Sequence, residues 1–211
     1  MFTTGVSPVT RHSLALLGKL NFLGQFYLAG GTACALRLGH RLSYDLDFFT
    51  QKDFVGKELL TLMRKNGDFK LDQIKKNTLL GVFENTKVSF FKYDYPVIDK
   101  LELFDGIKVA GIKDLIAMKI DAIATRGVKR DFIDLYFLSQ KIKLIDSFNY
   151  YTKKYVKQNL NLLHAVRSLT YFIDTEKDEM PEMLKSCDWQ EVKKYFLTET
   201  PKLLDKLLRT V

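Results

Sequence analysis

Residues 26–49 read FYLAGGTACALRLGHRLSYDLDFF, and this stretch decides the fold. Its order is a short apolar strand, a Gly-Gly-Thr turn, a helix over 33–39, and a second strand that carries two aspartates. Asp45 and Asp47 stand two apart, so in an extended strand both carboxylates point to one face. Leu46 and Phe48 point to the other, as a strand needs when its back is buried. Two acids on one face repel unless a cation lies between them, and Mg²⁺ bound together with substrate phosphates meets that need through hard oxygen ligands. Gly30 and Gly31 let the chain turn sharply and lie close to a ligand. Thr32 is placed to cap the helix that follows, where free amides and the Thr32 hydroxyl can hold phosphate oxygens. A Gly-Gly turn alone is usually just a turn, and an Asp-x-Asp alone is usually a solvated strand end. Together they specify a metal-dependent nucleotide site far better than either does.

Outward from this stretch the pattern stays mixed. Before it, Ser7 and Pro8 open a helix with Leu14, Leu17 and Leu20 on one face. After it, Asp53 is placed to cap an amphipathic helix carrying Leu59, Leu60 and Met63 that ends at Asn66-Gly67. Strand-like runs cover 69–75, 78–84 and 87–93, with Asn85 and Thr86 as a tight link, and a further extended stretch covers 101–110. Beyond Gly111 everything reads as helix: 112–125, 129–139 after a break at Arg126-Gly127, 143–157, 158–173, 189–197 and 201–209. The expected class is α+β or mixed α/β, with an α/β core over 1–110 and a helical part over 111–211.

The chain has 211 residues, 46% of them hydrophobic, which is ample for a core. No apolar run approaches a membrane span, which leads us to expect a cytoplasmic protein. Cys34 and Cys187 suit neither a disulfide framework nor a zinc site. The net charge of +8 admits nucleic acid or phosphates as partners without requiring them. Residues 141–170 concentrate Lys141, Lys143, Lys153, Lys154, Lys157 and Arg167 against Asp146 alone, whereas 173–191 is acidic. Tyr150, Tyr151 and Tyr155 among those lysines offer stacking surfaces beside the cations, which favours RNA; a solvated helix explains the stretch nearly as well.

A second constellation lies in the helical part. Lys119 falls on or beside the apolar face made by Ile112, Leu115, Ile116 and Ile123, where it is either a snorkelling lysine or a point charge for phosphates. Asp131 and Asp134 are three apart on the next helix, anchored by Phe132, Leu135, Tyr136 and Leu138, with Arg126 and Arg130 available as structural partners. Arg41 can offer its planar fork to phosphate, and His40 is either a site residue or an imidazole tying the loop down.

The arrangement Gly30-Gly31-Thr32, Gly39-His40-Arg41, Ser43 and Asp45-Leu46-Asp47-Phe48-Phe49 resembles the nucleotidyltransferase-like toxins of the AbiEii/AbiGii type, within the polymerase-beta-like superfamily. Residues 116–138, IAMKIDAIATRGVKRDFIDLYFL, are similar to that family's lysine-bearing helix followed by Arg-Asp-x-x-Asp-Leu. The resemblance spans roughly residues 25–140. It implies a nucleotidyltransferase-like mixed sheet with flanking helices and an all-helical C-terminal part. It also implies Mg²⁺-dependent transfer of a nucleoside monophosphate from NTP to an acceptor hydroxyl, with RNA, notably the tRNA 3′ end, as acceptor and an antitoxin as partner. On this resemblance Asp45 and Asp47 bind metal, Gly30, Gly31, Thr32, Arg41 and Lys119 bind nucleotide, and one of Asp131 and Asp134 orients Lys119 or the acceptor. The wider superfamily adds a third carboxylate on the strand beside Asp-x-Asp, where this chain offers Ser89. That departure keeps open a binding module without catalysis, alongside transfer to a small molecule or a protein hydroxyl.

Overall fold

The computed structural model describes residues 1–158 and 160–209. Seven strands form one mixed sheet: β1 (Tyr27–Ala29), β2 (Leu46–Thr50), β3 (Phe69–Lys75), β4 (Thr78–Phe83), β5 (Thr86–Lys92), β6 (Glu102–Phe104) and β7 (Ile107–Val109), in the order β3-β4-β5-β2-β1-β7-β6. At its centre β2 runs antiparallel to β1, with Asp47 opposite Ala29, and parallel to β5, with Asp47 opposite Ser89. The alternation expected of β2 holds: Leu46, Phe48 and Thr50 are buried. Phe48 stacks on Phe90 with ring centroids 5.1 Å apart, so the back of the strand is core and its front is free for Asp47. Asp45 lies immediately ahead of the strand rather than within it.

Helix α1 (Pro8–Leu17) begins as its sequence dictates, with the Ser7 hydroxyl accepting the Thr10 amide at 3.1 Å. Helix α3 (Gly56–Asn66) is capped differently from the expectation. Its N-cap is Val55, and Asp53 instead accepts from Asn77 at 2.7 Å and pairs with Lys92 at 3.0 Å. The β4–β5 link falls one residue earlier than expected, at Glu84 and Asn85, whose φ of 48° and 65° suit a two-residue hairpin turn. The extended stretch before Gly111 is a second hairpin, β6–β7, turned at Asp105-Gly106.

The helical part comprises α4 (Ile112–Thr125), α5 (Lys129–Ser139), α6 (Leu144–Lys154), α7 (Leu162–Ser168) and α8 (Trp189–Leu208). The expected helices 143–157 and 158–173 are longer than α6 and α7, and Asn159 lies outside the described residues. The two helices expected over 189–197 and 201–209 are one, α8, with Pro201 inside it. Val192, Phe196, Thr200 and Leu203 are buried on one face, while Pro201 and Leu197, whose carbonyl loses its donor to the proline, face solvent.

The basic stretch is not the stacking surface that its composition suggests. Lys154 is fully buried, with Nζ 2.6 Å from Asp114 Oδ1 and 2.9 Å from Pro96 O. Tyr151 and Tyr155 are core residues, and the Tyr155 hydroxyl meets that of Tyr93 at 2.5 Å.

Candidate active site

Helix α2 (Gly30–Leu38) starts three residues earlier than expected, so Gly30 and Gly31 form its first turn. Gly30 takes φ +67°, and a Cβ there would stand 2.8 Å from Asp47 Oδ2; a Cβ on Gly31 would stand 2.7 Å from Arg41 Nη2. Gly30 is favoured by its left-handed backbone, both glycines lie close to charged side chains, and their amides belong to the turn whose N–H groups the helix cannot use. Thr32 does not cap. It is buried within the helix, where its hydroxyl donates to the Asp45 carbonyl and shares a hydrogen bond with the Ser43 hydroxyl at 2.8 Å, so it fixes the approach to β2.

Asp45 and Asp47 line one side of a cavity of about 200 Å³ that also gathers Gly30, Gly31, Arg41, Lys119, Arg126 and Arg130. Burial, with the Asp45 charge added, pushes the Asp47 carboxyl above the ordinary 3.8, against a hydrogen bond from Ser89. Ser89 thus faces the acids, as its alternation predicts, and supplies a donor where a third carboxylate would sit. Neither Asp45 nor Asp47 forms an ion pair among the described residues, and no group of three acids, histidines and cysteines assembles among them. Two carboxylates without an ion pair among the described residues, open to a polar cavity, fit Mg²⁺, which takes one or two protein carboxylates and completes its shell with water and phosphate oxygens.

Behind the cavity a buried charge network sets the cations. Lys119 is not snorkelling: its Nζ lies 2.7 Å from Asp131 Oδ1 and 2.6 Å from Asp134 Oδ2. Burial works against its charge, but the two acids outweigh it and raise its pKa. Asp134 also takes Arg41 bidentately, Nε at 2.7 Å and Nη2 at 2.9 Å, and His40 Nε2 at 2.7 Å. Burial would raise the Asp134 pKa, yet Arg41 and Lys119 hold it well below 3.8. His40 is fully buried, and burial holds its pKa below 6.5, so the imidazole is neutral and its Nε2–H donates. It ties the loop down. Asp131, lowered against burial by Lys119 and Arg126, takes Arg126 through Nε at 3.0 Å and Nη2 at 3.2 Å.

Asp131 and Asp134 therefore reach Lys119 as their spacing predicts, but neither lines the cavity, and both are fully buried behind cations. Asp131 pairs with Lys119, and Asp134 with both Lys119 and Arg41. Arg41 lines the cavity with its fork already engaged. Arg126 and Arg130 both line the cavity with exposed side chains, and of the two Arg130 forms no ion pair among the described residues. Of the two arginines the sequence offers as partners for these acids, Arg126 takes the role with Asp131, after which the chain turns at Gly127, φ +52°. The acidic segment has a part that its charge did not announce. Leu42 N donates to Glu182 O at 2.8 Å and Leu184 N to His40 O at 2.9 Å, so residues 182–184 strap the His40-Arg41 loop from outside.

A glycine turn entering a helix, a same-face acid pair on the next strand and a buried lysine–carboxylate network on a mixed sheet define a nucleotidyltransferase. The chain belongs to the family described as nucleotidyl transferase AbiEii toxin, type IV TA system, which it matches over residues 14–103 and 94–210. An uncharacterized protein of Aquifex aeolicus (strain VF5) is 36% identical over 203 residues, covering 92% of this chain and 96% of that protein. Among solved structures, MenT4, a nucleotidyltransferase toxin of Mycobacterium tuberculosis H37Rv, shares the fold at TM-score 0.60 and 15% identity, covering 92% of this chain and 82% of that one. JHP933 from Helicobacter pylori does so at TM-score 0.58 and 18% identity, covering 97% and 96%. No helix among the described residues is long and apolar enough to cross a membrane.

Proposed function

We propose that this nucleotidyltransferase moves a nucleoside monophosphate from NTP to a hydroxyl of RNA, with Mg²⁺, and acts as the toxin opposite an antitoxin protein. The observation that carries the reading is the 200 Å³ cavity, in which two carboxylates without an ion pair among the described residues share the lining with a glycine-rich helix start and four basic side chains, Arg41, Lys119, Arg126 and Arg130. Asp45 and Asp47 would hold Mg²⁺, which when bound withdraws charge from phosphate oxygens and lowers the pKa of a bound hydroxyl. The Gly30-Gly31 turn and Arg130 hold the triphosphate. Lys119, with two hydrogens committed to Asp131 and Asp134, directs its remaining one at the cavity, where the pyrophosphate charge grows. The acceptor oxygen bonds to the α-phosphorus, the bond from that phosphorus to the α–β bridging oxygen breaks, pyrophosphate leaves, and the acceptor proton passes to water. RNA is favoured by the family and by exposed cations outside the ion pairs, Arg130 and Arg167.

The test is incubation with each α-labelled NTP, Mg²⁺ and total cellular RNA. Label in RNA that disappears on chelation supports the proposal. Label in protein or small molecules moves the acceptor elsewhere, and NTP binding with no transfer makes the chain a binding module.

A further inference from the structure

The cavity at Asp45 and Asp47 is smaller than the ~300–1,000 Å³ usual for a pocket enclosing a small molecule, so it suits phosphates and leaves the two nucleosides outside. Two larger clefts adjoin it. One, of about 560 Å³, shares Arg41, Tyr44 and Arg130 with it and runs along the strap. The other, of about 420 Å³, shares Arg126 with it and lies between the C-terminal end of α4 and α7, reaching Tyr171.

Their charges differ. In the strap cleft Arg41 is already neutralised by Asp134, which leaves Arg130 and Lys177 against Asp178, Glu179 and Glu182. In the α4–α7 cleft Arg126 is likewise paired, with Asp131, which leaves Arg167 against Asp174 alone. Arg126 gives Nε and Nη2 to Asp131 and keeps Nη1, and Arg167 makes no ion pair or hydrogen bond from its side chain among the described residues. His164 Nε2, 3.0 Å from the Ala124 carbonyl, joins α7 to the end of α4, and the Tyr171 ring is half exposed at the rim. A single-stranded RNA end brings consecutive phosphates and an unstacked base, and needs cations and an aromatic face rather than a row of acids.

We propose that the α4–α7 cleft seats the terminal nucleotide of a single-stranded RNA acceptor. Tyr171 stacks on the base, Arg167 and Arg126 Nη1 hold the adjoining phosphates, and the terminal hydroxyl enters the site past Arg126. This rests on the reading of RNA as acceptor. The test measures binding and labelling of a random-sequence octaribonucleotide by wild type, Arg167→Ala, Tyr171→Ala and Tyr171→Trp. Lys153→Ala/Lys157→Ala, on exposed positions of the 141–170 stretch outside the cleft, serves as control, and NTP affinity is measured in parallel.

The expected result is a rise of about tenfold or more in the RNA concentration for half-maximal labelling in the two alanine variants, as loss of one stacked base implies. Arg167→Ala also flattens the salt dependence of RNA binding by about one phosphate contact. Tyr171→Trp stays near wild type, the control is unchanged, and NTP affinity is kept. Half-saturation within twofold of wild type in both alanine variants overturns the cleft assignment while the RNA reading survives. Loss of NTP affinity instead of RNA affinity assigns the cleft to the NTP nucleoside and also overturns it. Wild-type protein that binds NTP but never labels RNA overturns the underlying reading, and the assignment with it.

Discussion

Replacing Asp134 by alanine tests whether the buried charge network is the structural centre of the site. Asp134 is wholly buried and accepts from Arg41 Nε and Nη2, His40 Nε2 and Lys119 Nζ, all between 2.6 and 2.9 Å. Arg41 and Lys119 are each 4% exposed, so water cannot replace the lost carboxylate. Lys119 keeps Asp131, but Arg41 is left without an ion-pair partner among the described residues. Removing one partner of such a buried arrangement costs about 3–5 kcal/mol. For a chain of this size that corresponds to a fall of roughly 10 °C in melting temperature. Urea unfolding, followed by tryptophan fluorescence of Trp189 and by circular dichroism, measures it. Asp45→Ala, which removes a half-buried carboxylate with no ion pair, should change stability by about 0.5 kcal/mol or less. The pH dependence carries a sign. Asp134 titrates well below 3.8 in the folded protein, so near and below pH 3.8 the unfolded chain binds the proton first. The wild-type advantage is therefore fully present above about pH 3.8 and is lost as pH falls through the folded value. A loss under about 1 kcal/mol at neutral pH, or a difference between the two proteins that does not narrow in acid, refutes the argument.

Asp45→Asn and Asp47→Asn should each abolish nucleotide transfer, and Asp47→Asn should raise the urea midpoint at pH 7. Burial and Asp45 lift the Asp47 carboxyl above 3.8, so its charged form weakens the fold as pH rises through that window; an unchanged or lower midpoint contradicts this. Gly30→Ala should cost about 1–2 kcal/mol through its left-handed backbone and should lower transfer by displacing Asp47, both measurable on one preparation. Arg130→Ala should weaken NTP binding with a stability change within about 0.5 kcal/mol, and lysine should not restore the fork; equilibrium dialysis against labelled NTP decides it. Lys154→Ala should destabilise by about 3–5 kcal/mol because Asp114 is left buried without its cation, whereas Lys153→Ala should be silent.

The local periodicities carried most of the fold. Residues 45–48 alternate as a half-buried strand must, and α4 and α5 begin and end within the residues expected, because Gly111 and Arg126-Gly127 interrupt otherwise unbroken helical patterns. Pro201 misled because a helix tolerates proline where the orphaned carbonyl reaches water, and burial rather than residue type decides that. The site was legible as a set of residues but not as a set of roles. Thr32, Arg41 and Asp134 were all identified, yet whether a hydroxyl or guanidinium faces a ligand or a buried neighbour depends on contacts that spacing along the chain does not encode. The same is true of Lys154, Tyr151 and Tyr155, whose composition suggests a surface and whose packing is a core. The strap was invisible because its bonds to His40 and Leu42 are made by backbone groups that every residue carries.

Those strap contacts also set an order of events during synthesis. Arg41 meets Asp134 across 93 residues, and Tyr44 meets Glu182 across 138. The glycines and acids of the cavity thus leave the ribosome long before the groups that hold the Arg41 loop in place. At about 5–20 residues per second, roughly 7–28 s separate Tyr44 from Glu182. A nascent or truncated chain ending before residue 182 possesses Asp45 and Asp47 but lacks one wall of the clamp around them. The Arg41 loop therefore reaches its final fastening only once residues 182–184 have joined it.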